Sequence, residues 1–159
     1  MKMKWITVNA IVAALYVILG FLVQPIAFSA IQFRIPELFN HLIVFNKKYF
    51  WGIILGVFIT NLFSPLGWYD LVFGVAQSAV SIAIMFVVMR YVKGTIPRMI
   101  ANTLVFSLTM FIIAYELHLA FGLPFFLSWL TCAIGEVVVM GVGIPIMYAI
   151  NKRLKLDSI

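Results

Sequence analysis

Charge is what this sequence has least of. Only 10% of its 159 residues are Asp, Glu, Lys or Arg, while 65% are hydrophobic and mean hydropathy is +1.14. So few charged side chains cannot cover the exterior of a soluble domain of this length, which leaves the lipid bilayer as its natural solvent. Cysteine is almost missing too. Cys132 stands alone in an apolar run, which excludes a disulfide framework and a thiolate metal cluster and suits a small buried packing residue. There is no G-x-x-x-x-G-K-[ST] loop, so no nucleotide motor is encoded, and no H-E-x-x-H or Cys/His spacing that would hold a metal. Ser, His and acidic residues are present, but no nucleophile motif connects them, so neither catalytic residues nor a cofactor are expected. Without linkers, low-complexity runs or long charge blocks, residues 1–159 read as one membrane domain.

What is present is a series of apolar runs between breakers. They fall at Trp5–Gln24, Pro36–Asn46, Tyr49–Phe63, Tyr69–Tyr91, Pro97–Leu119 and Phe125–Asn151, with Pro25, Pro36, Pro65, Pro97 and Pro124 at or beside the ends. A membrane-spanning helix needs about 20 apolar residues, so the sequence predicts an all-α, six-helix integral membrane bundle whose second segment is short for a full span. Lys2 and Lys4 ahead of the first run resemble the start of a signal peptide. The run is too long for one, however, and 27-AFSA-30 is a poor cleavage site, so a retained helix is expected.

Lys and Arg sort by loop. Under that alternation one side receives Lys2, Lys4, Lys47, Lys48, Arg90, Lys93, Arg98, Lys152, Arg153 and Lys155, and the other receives Arg34 alone. The positive-inside rule then places both termini in the cytoplasm of a multi-pass protein of the cell membrane. It also explains the net charge of +6 without a nucleic acid partner. The acids sort the other way: Glu37, Asp70 and Glu116 fall toward the outer end, Glu136 lies inside the last helix, and only Asp157 is on the basic side.

Helical spacing gathers the polar residues into stripes. Asp70, Gly74, Gln77, Ser78 and Ser81 share one face of the fourth helix, and Trp129, Cys132, Ala133 and Glu136 share one face of the sixth. Thr60, Asn61 and Ser64 close the third helix, and Glu37, Asn40 and His41 meet on the second. Each has a plain reading beside a functional one. Arg34 and Glu37 suit a structural ion pair as well as ligand contacts. Asp70 suits a helix cap as well as a ligand, Glu116 a solvated helix end, and His41 and His118 satisfied or interfacial positions. Glu136 lies about three turns deep with no basic neighbour in sequence, so a ligand is its expected partner. Small residues form two further faces, Ala10, Ala13 and Ala14 on the first helix and Gly52, Gly56 and Thr60 on the third, both suited to close helix packing.

The runs 28-FSAIQFRIPEL-38, 56-GVFITNLFSPLGWYDLVFG-74 and 135-GE-136 resemble the queuosine-precursor transporter family, substrate-binding S components of energy-coupling factor transporters. The resemblance covers essentially the whole chain in segment count and order. It departs at 75-VAQS-78, where small or hydroxyl residues are usual, and so sets Gln77 apart. It implies capture of a 7-deazaguanine such as preQ1 or preQ0 outside the cell, followed by docking on a transmembrane T component that carries two cytoplasmic ABC ATPases. In such machines the S component topples in the membrane, and the Ala-x-x-x-Ala face is its partner surface, which implicates Ala10, Ala13 and Ala14. For such a ligand Glu136 would accept the ring N–H and exocyclic amine together. Phe33, Trp68 and Trp129 would offer aromatic faces, and Asp70 or Glu116 would take a protonated aminomethyl group. Asn61, Gln77 and Gln32 would complete the ring hydrogen bonds, with Arg34 inside a lid formed by residues 25–35. Two other readings stay open: a self-sufficient carrier using Glu136 as a proton site, and an intramembrane enzyme.

Overall fold

The computed structural model describes residues 2–27 and 32–159, and these are helical with no strands among them. Six helices follow the six apolar runs. Helix α1 is Lys2–Leu22, followed by a single turn at Gln24–Ala27. Helix α2 is Ile35–Phe45, 3-10 over Ile35–His41 and α over Leu42–Phe45. A 3-10 turn at Lys47–Tyr49 leads into α3, Phe50–Leu62; α4 is Trp68–Tyr91, α5 is Thr95–Phe121 and α6 is Phe125–Leu154.

Four of these, α1, α4, α5 and α6, are long and apolar enough to cross a membrane. The second segment is short, as expected, and α3 is short as well, with only 13 residues, about 20 Å of rise. The chain must nevertheless return between α1 and α3, which run parallel: Gly52 N donates to Asn9 Oδ1 at 2.7 Å, and Gly56 packs on Tyr16 one step further along. Helix α2 makes that return. Its 3-10 turns rise about 2.0 Å per residue, so seven such residues cover more height than seven in an α-helix. Pro36 in the first turn starts the helix where its missing N–H costs nothing.

The basic end of the bundle is held together around Tyr49. Its ring meets Trp5 edge-on at 5.9 Å, and its hydroxyl donates to Leu156 O at 3.1 Å, so the start of α1, the start of α3 and the tail after α6 converge there. Arg98 ties the α4–α5 corner at the same end, donating to Val92 O and Met89 O at 2.9 and 3.0 Å. The interior behind this end is apolar, filled by Ile53, Ile82, Met85, Met99, Phe106, Met140 and Met147. Cys132 packs with Met110, Ile113 and Leu117 in a smaller apolar cluster, as its composition context predicts. The exterior is greasy: Trp51, Val72, Leu104, Leu108, Leu130 and Val142 are all exposed, the inverse of a water-soluble surface and the pattern lipid requires.

Helix α5 is not continuous, as the single run predicts, but breaks at Met110 into Thr95–Thr109 and Phe111–Phe121. Thr103, Ser107 and Thr109 turn their hydroxyls back onto Met99 O, Thr103 O and Phe106 O, a habit that bends helices. Side chains from neighbouring helices take the carbonyls at the break: Gln77 Nε2 donates to Phe106 O at 3.4 Å, and Trp129 Nε1 to Leu108 O at 3.0 Å.

Candidate functional site

Opposite the basic end the interior changes character. The striped face of α4 points inward, with Asp70, Gln77, Ser78 and Ser81 all at 0% exposure, and so do Glu37 and Asn40 of α2, Glu116 of α5 and Glu136 of α6. Four of the five acidic residues in the sequence are therefore buried in one region, on four different helices.

A single guanidinium lies among them. Arg34, in the loop before α2, sets Nη2 at 2.9 Å from Asp70 Oδ1 and Nη1 at 3.5 Å from Glu37 Oε1, while its Nε donates to Gln32 Oε1 at 3.1 Å. Burial pulls the Arg34 pKa down, but Asp70, Glu37 and Glu116 push it further the other way, and the net shift is upward. Asp70 Oδ2 accepts from Ser64 Oγ, and Ser64 Oγ accepts from Leu66 N at 3.1 Å. This corrects the helix-cap alternative for Asp70: the cap position belongs to Gly67, which makes no side-chain cap bond, and the carboxylate reaches sideways to Arg34 and Ser64. The solvated reading of Glu116 falls too, because its side chain is fully enclosed.

The remaining two acids face other acids. Glu136 lies beside Glu37, and Glu116 beside Asp70. Both oxygens of Glu116 and both of Glu136 lack a hydrogen-bond donor among the described residues. The same region holds unpartnered donors, Gln32 Nε2 and Asn61 Nδ2, and the unpartnered Thr60 hydroxyl. Asn61 can enter only because residue 74 is glycine; a Cβ there would collide with Asn61 Nδ2 and lie 3.4 Å from Arg34 Nη1. Buried polar atoms are paired in the great majority of structures, so a concentration of orphans in one place marks a region built for a partner. Its chemistry is specific: several carboxyl oxygens able to accept, and a few neutral donors.

No ready-made hollow opens beside Arg34 among the described residues. The void there, lined by Tyr16, Gly20, Arg34, Pro36, Val57, Thr60 and Asn61, measures about 20 Å³, enough for one water molecule and far from enough for a base. The polar side chains are folded against one another.

Of the residues singled out in the sequence, Glu136, Asp70, Glu116, Asn61, Gln32 and Arg34 belong to this buried polar region. Gln77 is buried nearby, but its amide is spent on Phe106 O and Thr109 Oγ1 at the α5 break. Trp129 is likewise engaged through its N–H with Leu108 O, and its ring sits on a cavity of about 450 Å³ between α5 and α6 that exposed Leu104, Leu108 and Phe126 also line. Trp68 is 63% exposed and stacked on Tyr69 at 4.2 Å, which suits an interfacial anchor rather than an interior contact. Phe33 is half-buried in the loop beside Arg34. The lid expected over residues 25–35 includes residues 28–31, which lie outside the described ones. Ala10 and Ala14 are exposed on α1, whereas Ala13 is 3% exposed and packs within the chain, so it drops out of the outer face.

Sequence reasoning weighed Glu37 as a ligand contact as well as an ion-pair partner and placed Asn40 beside it, but it left out Tyr16 and Asn102. Asn40 Nδ2 donates to Glu37 Oε2 at 3.1 Å, and Asn102 Nδ2 donates to Asn40 O at 3.1 Å and lies 3.4 Å from His41 Nδ1. His41 Nε2 pairs with Met140 O at 2.9 Å, so this histidine is the satisfied residue its plain reading expects. A signal for Asn102 was available, since it is an amide within an otherwise apolar and hydroxyl-bearing run.

A family model described as QueT transporter matches residues 6–152. The chain is also 34% identical over 157 residues, 93% of it and 92% of the relative, to the queuosine precursor transporter QueT of Lactococcus lactis subsp. cremoris (strain MG1363). No solved structure matches the chain.

Proposed function

The chain belongs to the QueT transporter family, and on that premise we propose that it is the substrate-binding subunit of an importer, capturing a queuosine precursor of the 7-deazaguanine class outside the cell. The observation that carries the recognition chemistry is the set of unpartnered oxygens on Glu136 and Glu116 inside a cluster of four acids and one guanidinium. A deazaguanine carries a ring N–H beside an exocyclic amine, and a carboxylate can accept both in a charge-assisted pair. Glu136, with Glu37 at its side, takes that edge. A protonated aminomethyl substituent takes Asp70 and Glu116, which lie together. The ring's own acceptors are met by Asn61 Nδ2 and Gln32 Nε2, the two amide donors left unpaired. The orphans on Glu136, Glu116, Asn61 and Gln32 then each have a complement on the ligand.

Orientation follows from the segregation of charge. Lys47, Lys48, Arg98 and the Lys152–Lys155 cluster gather at the Tyr49 end, which the positive-inside rule assigns to the cytoplasm, so the acid cluster faces the outer side. Energy comes from partners: the sequence has no nucleotide-binding loop of its own. A T component with two ABC ATPases supplies it, docking against α1 where Ala10 and Ala14 leave a shallow exposed surface that another helix can approach closely. The chain binds and delivers its ligand and performs no chemistry on it.

One observation favours a second reading. Glu136 and Glu37 face each other without a donor between them, an arrangement that also suits a proton site in a self-sufficient carrier. Proteoliposomes separate the two. Uptake of 7-aminomethyl-7-deazaguanine that needs internal ATP and the T and ATPase subunits supports the importer; uptake by this chain alone under a proton gradient replaces it with the carrier.

A further inference from the structure

Arg34 is the one member of the charged cluster that no helix holds. Its acidic partners stand on α2 and α4, and Glu116 and Glu136 on α5 and α6, but Arg34 belongs to the loop preceding α2. That loop is tightly wound. Gln32 has φ +56°, a left-handed conformation that a side chain disfavours, and consecutive short-range bonds run from Arg34 N to Gln32 O at 2.9 Å and from Ile35 N to Phe33 O at 3.1 Å. The Arg34 Nε bond to Gln32 Oε1 closes the winding from the side-chain end.

The guanidinium also has the donor pattern of the ligand class. A 2-amino-pyrimidinone edge places an N–H and an NH₂ on one carbon, which is a guanidine fragment in a ring. Arg34 presents that fragment to Glu37, beside the acid that takes the ring edge, and its charge to Asp70, one of the two that take the amine. With about 20 Å³ of void beside it, a planar base can reach these acids only when a side chain leaves, and Arg34 can leave without unwinding a helix.

We infer that Arg34 is a tethered stand-in for the ligand: its guanidinium holds the acids until a cationic base replaces it, and its departure releases residues 32–34 from their wound conformation. The inference rests on the deazaguanine reading above and adds a specificity rule to it. A ligand that displaces Arg34 must bring a positive charge of its own, because a neutral one leaves Asp70 and Glu37 buried beside Glu116 and Glu136 with no cation at all. The cluster therefore selects a protonated amine over a nitrile at the same ring position.

The test is binding to the full-length chain in nanodiscs, using 7-aminomethyl-7-deazaguanine and 7-cyano-7-deazaguanine as probes. Wild type should prefer the amine by roughly tenfold or more. Arg34→Lys keeps the charge but loses the planar fork, so the stand-in competes less well and the amine should bind about threefold tighter or better. Arg34→Gly should be stabilised against heat by low-millimolar guanidinium chloride relative to sodium chloride, with wild type indifferent, since the free ion refills the place of the tethered one. Weaker or unchanged amine binding in Arg34→Lys overturns the inference, as does absence of guanidinium rescue in Arg34→Gly or equal affinity of wild type for both probes. Failure of wild type to bind either probe would instead remove the deazaguanine reading, and this inference with it.

Discussion

Arg34 Nη2 and Asp70 Oδ1 lie 2.9 Å apart, although 36 positions separate them in sequence. This pair joins the loop before α2 to the first turn of α4, and both partners are buried. Removing one member of a buried pair strands the other charge, at a cost of about 3–5 kcal/mol, whereas removing both together costs less. Arg34→Gln should therefore lower the thermal midpoint of the purified protein more than the double variant Arg34→Gln/Asp70→Asn does. A double variant as unstable as the sum of the two singles would show that the residues act independently.

Glu136 has the opposite energetic sign. Neither of its oxygens has a donor among the described residues, so the carboxylate is a burden on the unliganded protein. Glu136→Gln should leave stability unchanged or raise it, while weakening 7-aminomethyl-7-deazaguanine binding at least tenfold, about 1.4 kcal/mol. Calorimetric titration beside a thermal scan reads both quantities. Unaltered affinity would take Glu136 out of the recognition set.

Glycine supplies a paired prediction about packing. At Gly56 an added Cβ would sit 2.7 Å from Tyr16 Cβ and 2.9 Å from its Cγ, atoms close to the α1 backbone that cannot swing away. Gly56→Ala should destabilise by about 1–3 kcal/mol through forced separation of α1 and α3. At Gly141, in the interior of α6, nothing lies within 4 Å of the added methyl. There the usual helical advantage of alanine should appear as a gain of roughly 0.5–1 kcal/mol. Equal midpoints for the two variants would contradict the close α1–α3 approach.

The outer face of α1 is tested through assembly. Ala14→Leu adds bulk to an exposed position without touching the polar cluster. Ligand binding by the isolated chain should persist, while co-purification with the T component and ATP-driven uptake should be lost. Normal uptake by this variant would move the partner surface off that face.

Much of this was legible in the sequence because bilayer physics writes itself in composition. Apolar runs, prolines and the sidedness of Lys and Arg mark the helices, and the spacing of Asp70, Gly74, Gln77 and Ser81 correctly predicts one inward face of α4. What stayed hidden depends on contacts between distant segments. The Arg34–Asp70 pair has no local signature, whereas Arg34–Glu37 at three residues' separation does, and the weaker local pair was the one visible. Gln77 and Trp129 read as ligand contacts because polarity and aromaticity inside an apolar helix attract that reading. The α5 break they brace becomes apparent only when the carbonyls of Phe106 and Leu108 are found turned toward them. Trp68 shares a motif with interior residues yet points outward, since the turn at Gly67 leaves the first residue of α4 on the rim.

Helix α3 also sets the shape of the lipid around the protein. It offers about 20 Å of height, against about 45 Å for the 30 residues of α6. Exposed Trp51 near its foot and exposed Trp68 just past its top favour the headgroup layers. Acyl chains on this flank must compress while those beside α6 do not, which is a hydrophobic mismatch confined to one side. The elastic relief of that asymmetry is a lean of the whole bundle, and its extent depends on the thickness of the host membrane.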